Sequence, residues 1–177
     1  MYKINREKYK IFEFLINTAI SLQAKTSIWY NTVMKLTRTI KVSEQEFYDH
    51  LEQELISTIK ECTQRQIHSQ DIRKGLRYCK NEDNVHARMY VSILDYQRGC
   101  RYKAQIKSLS DTITLSYDTE VEKEGLKVVF HQSIESFEQK KHNKLMKMFS
   151  EGIYLGRMSD TIYDIQKKIL KKREEVL

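Results

Sequence analysis

Five polar residues, Arg38, Tyr102, Tyr117, Thr119 and Gln132, stand where the alternation of their segments asks for an apolar side chain. Their types suit recognition rather than bond-making. A guanidinium offers paired N–H donors to a carboxylate or phosphate, while phenols, a threonine hydroxyl and an amide make single hydrogen bonds. Arg38 can hold a bound acid in this way. It can also pack its stem and carry its charge to water or to a carboxylate of the chain; buried and unpaired it would be too costly. Tyr102 and Tyr117 fit equally well as core rings whose hydroxyls reach the rim. Gln132 is the most pocket-like of the neutral residues, because a buried amide needs partners.

Other chemistry finds no support in the spacing. His50, His68, His86, His131 and His142 are scattered singly, without the close ligand spacing of a metal site. Cys62, Cys79 and Cys100 are odd in number and lack a Cys-x-x-Cys pair, as reduced thiols would. No Gly-rich phosphate loop or Ser-His-Asp arrangement is present. His131 and Glu135 fall on the polar side of their segment. No catalytic residue, metal ligand or cofactor is therefore expected, and enzymatic activity is not the favoured reading.

The elements that would position the five residues are legible as periodicities. From Arg88 to Ser136, four segments alternate with period two: Met89, Val91 and Ile93; Tyr102, Ala104 and Ile106; Ile113, Leu115, Tyr117 and Val121; Leu126, Val128, Phe130 and Ile134. That is an antiparallel meander with one dry and one wet face. Turn chemistry joins the segments at Gln97-Arg98-Gly99, Ser110-Asp111 and Lys123-Glu124-Gly125, and Asn81-Glu82-Asp83-Asn84 marks a turn before them. Val33 to Val42 alternates too, placing Arg38 beside Met34, Leu36 and Ile40. A short strand covers Gly75 to Lys80.

Helical periodicity follows Ser43, an N-cap whose partner Glu46 completes a capping box; Phe47, Leu51, Leu55, Ile59 and Cys62 carry the stripe to about Gln64. The longest helix spans Lys141 to Arg173, with Met148, Phe149, Gly152, Leu155, Ile162, Ile165 and Ile169 on one broad face. Gly152 and Gly156 on its inner side would leave either close approach to the sheet or space for something else. Before residue 30, Ile4, Ile11, Phe12, Leu15, Ala19 and Leu22 form another stripe that wants a partner, either the domain or a second copy.

The chain has 177 residues, 40% hydrophobic and 31% charged, as expected of one globular domain; residues 1–30 read as an extension and 31–177 as the domain. The net charge of +7 could serve an acidic partner, but the cations are spread along the chain, so a nucleic acid is the less favoured partner. No apolar run approaches the roughly 20 residues needed to span a bilayer, and the N-terminus lacks the features of a signal peptide. A cytoplasmic protein without membrane insertion is expected.

The order of helical extension, strand, helix, short strand, meander and long helix resembles the helix-grip fold of the START-like (SRPBCC) superfamily. It looks closer still to a bacterial family of small proteins of unknown function assigned there. The resemblance is carried by MKLTRTIKVSEQEFYDHL, by HARMYVSILDYQRGCRYKAQIKS, and by TITLSYDTEVEKEGLKVVFHQSIES leading to GIYLG, over about Met34 to Leu170. It implies an α+β architecture: a curved antiparallel sheet of about six strands around the C-terminal helix, with a cavity between them. Superfamily members hold lipids, sterols, polyketides, hormones or aromatic compounds there, and no catalytic residue carries over. The expected function is binding of a small apolar or amphipathic molecule, lined by Arg38, Tyr102, Tyr117, Thr119, Gln132, Met148, Phe149, Gly152 and Leu155. The alternative is a regulatory or interaction domain with a closed cavity, which forms a homodimer or docks on a partner through residues 4–22.

Overall fold

A computed structural model describes residues 32–80, 88–109, 111–136 and 144–175, with side chains for 33–80, 88–109, 111–135 and 151–175. The expected helix at residues 4–22 and the turn at 81–84 lie outside them. In chain order the elements are β1 (Thr32–Ile40), α1 (Glu44–Thr63), a 3-10 turn (Ser69–Asp71), β2 (Arg77–Lys80), β3 (Met89–Gln97), β4 (Arg101–Lys107), β5 (Asp111–Glu122), β6 (Gly125–Ser136) and α2 (Lys144–Glu174). The six strands form one antiparallel sheet in the order β1-β6-β5-β4-β3-β2. This is the helix-grip α+β architecture.

Alternation decides which side of the sheet is dry. Met34, Ile40, Val91, Ile93, Ala104, Ile106, Leu115, Val128, Phe130 and Ile134 are all buried, and those on one strand lie an even number of residues apart. Val121 departs from the expectation: it is 66% exposed, because the β5–β6 hairpin runs past the helices that cover the rest of the face. Gly125 makes that hairpin tight, with φ +144° and a backbone so close to β1 that a Cβ would stand 2.1 Å from the Ile40 carbonyl oxygen.

α1 starts where the capping box predicts. Ser43 Oγ accepts from the Glu46 N–H at 3.2 Å, and Glu46 Oε2 accepts from the Ser43 N–H at 2.8 Å, which satisfies two otherwise orphaned donors. It ends at Gln64, whose left-handed backbone sends its N–H to the Lys60 carbonyl at 2.9 Å. Arg173 then grips Glu46 with two nitrogens, at 2.9 and 2.8 Å, tying the end of α2 to the beginning of α1.

α2 packs along β1 and against α1, burying Tyr154, Met158, Thr161, Ile162, Ile165 and Ile169 as one stripe of helical period. Leu155 is half-buried against the core. The two glycines correct the expectation: Gly152 and Gly156 are exposed, with nothing within 4 Å of an added Cβ. At 100° per residue both fall opposite the Tyr154–Met158–Ile165 stripe, so neither faces the sheet. Met148 and Phe149 lie within α2, but their side chains are outside the described set.

Candidate functional site

The pairing register arranges the dry face in rows. Arg38, Val128 and Thr119 share one row. The next holds Leu36, Phe130, Tyr117, Tyr102 and Tyr96, and the third Met34, Gln132, Leu115, Ala104 and Ile93. Ile134, Ile113, Ile106, Val91 and Tyr78 make the fourth. All five polar residues singled out by alternation are thus brought onto three consecutive rows.

What they do there differs. Thr119 is already engaged: its hydroxyl donates to the Gly99 carbonyl at 3.1 Å and meets the Tyr48 hydroxyl at 2.9 Å, closing α1 onto β5. Burial pushes the Tyr48 phenol up to about 12. Tyr117 and Tyr102 are fully buried rings, stacked at 6.2 Å with planes 19° apart. Tyr117 lies 4.7 Å from Phe130 and 6.0 Å from Phe47; Phe47 meets Tyr48, Tyr48 meets Tyr96, and Tyr96 meets Tyr102. Five rings therefore close a loop under the first half of α1. That end of the face is packed core.

Beyond the aromatic loop the face carries polar groups without partners. The Tyr102 hydroxyl is buried and bonds to nothing among the described residues, and its burial drives the phenol well above its ordinary range. The Tyr78 hydroxyl is in the same condition. Gln132, 5% exposed, makes no side-chain hydrogen bond among them either. Ala104 stands between the Tyr102 and Tyr78 rows, the smallest side chain on this face. Arg38 is half-buried; its Nη1 donates to the neighbouring Thr37 carbonyl at 3.0 Å, and it forms no ion pair among the described residues.

Sequence reasoning missed the cluster beside them. Tyr96 lies on the dry face only because Leu94 is bulged out of register between Ile93 and Asp95, and an extra residue inverts the alternation behind it. Its hydroxyl donates to the buried Glu52 carboxylate. Arg98 reaches the same carboxylate at 2.7 Å and Asp49 at 2.6 Å. A polar residue on the apolar stripe of α1, Glu52, was the available signal.

Two surface grooves lie elsewhere among the described residues. One of about 340 Å³ between α1 and α2 is lined by Glu46, Asp49, His50, Gln53, Ile169, Lys172 and Arg173. Burial, helped by Lys168 and Lys172, pushes the His50 imidazole down to about 4. The other, about 580 Å³, opens beside β2 and β3 and gathers Arg65, Arg77 and Lys107 around Tyr90, Ser92 and Gln105. Among the described residues no group of three His, Cys, Asp or Glu side chains could hold a metal ion, and no helix is long and apolar enough to cross a membrane.

Residues 34–151 match the family described as a domain of unknown function, DUF3284. The chain belongs to that family. Its family segment begins in β1 and ends within α2, so every row of the dry face lies in the DUF3284 portion. No curated protein matches it. An uncharacterized protein from Rhizobium leguminosarum has a similar structure, with TM-score 0.54 and 11% identity over 80% of this chain and 96% of that one. Ara h 8.0201 is similar at TM-score 0.52 and 9% identity, covering 80% and 99%, and so is a Bacillus halodurans protein with the same values. At such identities the likeness concerns the DUF3284 fold alone.

Proposed function

We propose that the protein binds a small apolar or amphipathic molecule between the dry face of the sheet and α2. One observation carries the reading: the Tyr102 and Tyr78 hydroxyls are buried without partners among the described residues, and Gln132, 5% exposed, lies on the row between theirs. Each such group costs about 1–3 kcal/mol when left unpaired, and the polar end of a bound molecule removes that cost. Apolar walls supply affinity and a few polar groups supply orientation. Leu115, Ala104 and Ile93 form the wall beside the amide, Leu155 borders it from α2, and Arg38 stands two rows away as an uncommitted cation. Tyr117 and Thr119 serve this site indirectly, by packing and by closing α1. Gly152, on the outer side of α2, has no part in it.

Native mass spectrometry of the chain purified from its own host, followed by denaturing extraction, tests the proposal. A stoichiometric small molecule is the expected result, with Gln132→Leu and Tyr102→Phe each weakening its rebinding about five- to tenfold, the worth of one hydrogen bond. A bare polypeptide mass, combined with no uptake of the amphipathic dye anilinonaphthalene sulfonate by the folded chain, removes the reading.

A further inference from the structure

Arg77, Tyr90, Ser92, Gln105 and Lys107 line the groove of about 580 Å³ beside β2 and β3. They point away from the core, because their strand neighbours Tyr78, Val91, Ala104 and Ile106 are buried and side chains alternate. The register sets them in two rows, Arg77, Ser92 and Gln105 in one, Cys79, Tyr90 and Lys107 in the next. Arg65 joins them from the end of α1, where the left-handed backbone of Gln64 turns the chain.

Charge in this groove has one sign. No Asp or Glu lines it, and Arg65, Arg77 and Lys107 form no ion pair among the described residues. Further along the same face cations do meet acids: Arg101 pairs with Asp118, and Lys127 with Glu120 at 2.8 Å. Tyr90 is 54% exposed. It stands directly opposite Lys107 and diagonally across from Arg77, so each neighbouring strand sets a cation beside the ring. Guanidinium and ammonium groups neutralise phosphates, and an open aromatic ring takes a flat base by stacking. An acidic peptide would use the charge and leave the ring idle.

We propose that this groove binds a nucleotide unit, free or within a single strand. Arg65, Arg77 and Lys107 hold the phosphates, Tyr90 stacks on the base, and Ser92 and Gln105 offer hydrogen bonds to its polar edges. The site lies on the other face of the sheet from Tyr102 and Gln132, so it stands or falls independently of the dry-face reading.

Calorimetric titration of the full chain at low salt separates the possibilities with four probes: ATP, inorganic triphosphate, single-stranded dodecathymidylate, and polyglutamate of the same charge as the strand. ATP should bind about tenfold more tightly than triphosphate, and the thymidylate about tenfold more tightly than polyglutamate, because only the nucleotides use the ring. Tyr90→Ala should erase both margins while leaving triphosphate affinity within about twofold, and Tyr90→Trp should restore them. Arg77→Gln should weaken every phosphate probe about fivefold and flatten the loss of affinity with salt. Both side chains are exposed, and circular dichroism checks that the variants fold; Tyr90→Ser replaces the alanine variant if that one does not. Tighter binding of ATP assigns the site to free nucleotides, and tighter binding of the thymidylate assigns it to a strand. Equal affinity for ATP and triphosphate, polyglutamate that matches the thymidylate, margins that survive Tyr90→Ala, or no binding of any probe overturns the proposal.

Discussion

A phenol oxygen that bonds to nothing is a cost to the unliganded protein and an asset only when something meets it. Tyr102→Phe is therefore expected to raise the stability of the ligand-free chain by about 1 kcal/mol, read from urea unfolding, because it deletes an unpaired buried donor. Tyr96→Phe should do the reverse and cost about 1–2 kcal/mol, since its hydroxyl serves the buried Glu52 and a hydrogen bond to a charged group is worth more than a neutral one. His50 adds a pH dependence of definite sign. Its folded value near 4 lies below the ordinary value of 6.5. Above pH 6.5 both states hold it neutral and it contributes nothing. Between 6.5 and 4 only the unfolded chain takes up the proton, so stability falls with pH, by on the order of 3 kcal/mol at the lower end. His50→Gln should flatten that part of the stability profile. Tyr102, Tyr117 and Gln132 were legible as polar residues in apolar positions; that Tyr102 keeps its hydroxyl unpaired among the described residues while Thr119 is spent on Tyr48 and Gly99 was not, because partners come from segments distant in sequence.

At the scale of elements, the helix beginning at Ser43 was fully legible, since a capping box is a local motif whose donors and acceptors lie three residues apart. Ser43→Ala should cost about 1 kcal/mol and fray the turn that carries Glu46, loosening its paired bonds to Arg173. The bulge at Leu94 was not legible. Alternation continues on both sides of it, and only the β4 register reveals the extra residue. Deleting Leu94 should return β3 to strict alternation with Tyr96 still opposite Tyr102, so cross-peaks between the Tyr48, Tyr96 and Tyr102 rings should persist; their loss would show that Leu94 is not the extra residue. The inward placement expected of Gly152 and Gly156 failed for a related reason: a broad helical stripe leaves its edges undecided until the contact line with β1 and α1 fixes the centre.

For the whole molecule, the composition describes an ordinary basic globular chain, and the cations spread along it gave no site. Folding gathers Arg65, Arg77 and Lys107 from the end of α1, β2 and β4 onto one groove. The alternative of docking through residues 4–22 belongs to this scale as well. Native mass spectrometry of the full chain is expected to show a monomer under the ligand-binding reading; a dimer that Leu15→Glu disrupts without altering the circular dichroism spectrum would shift the weight to docking.

The sequence by itself determined the strands, the turn positions, the capped helix and the dry side of nearly every strand, because period-two and period-3.6 patterns are written locally in side-chain type. It also placed the chain in the helix-grip class through the order of those elements. Only the tertiary structure decided which polar groups find partners. Hydrogen bonds such as Tyr48 to Thr119, 71 residues apart, and Tyr96 to Glu52, 44 apart, depend on strand register and helix placement, and no local pattern encodes them.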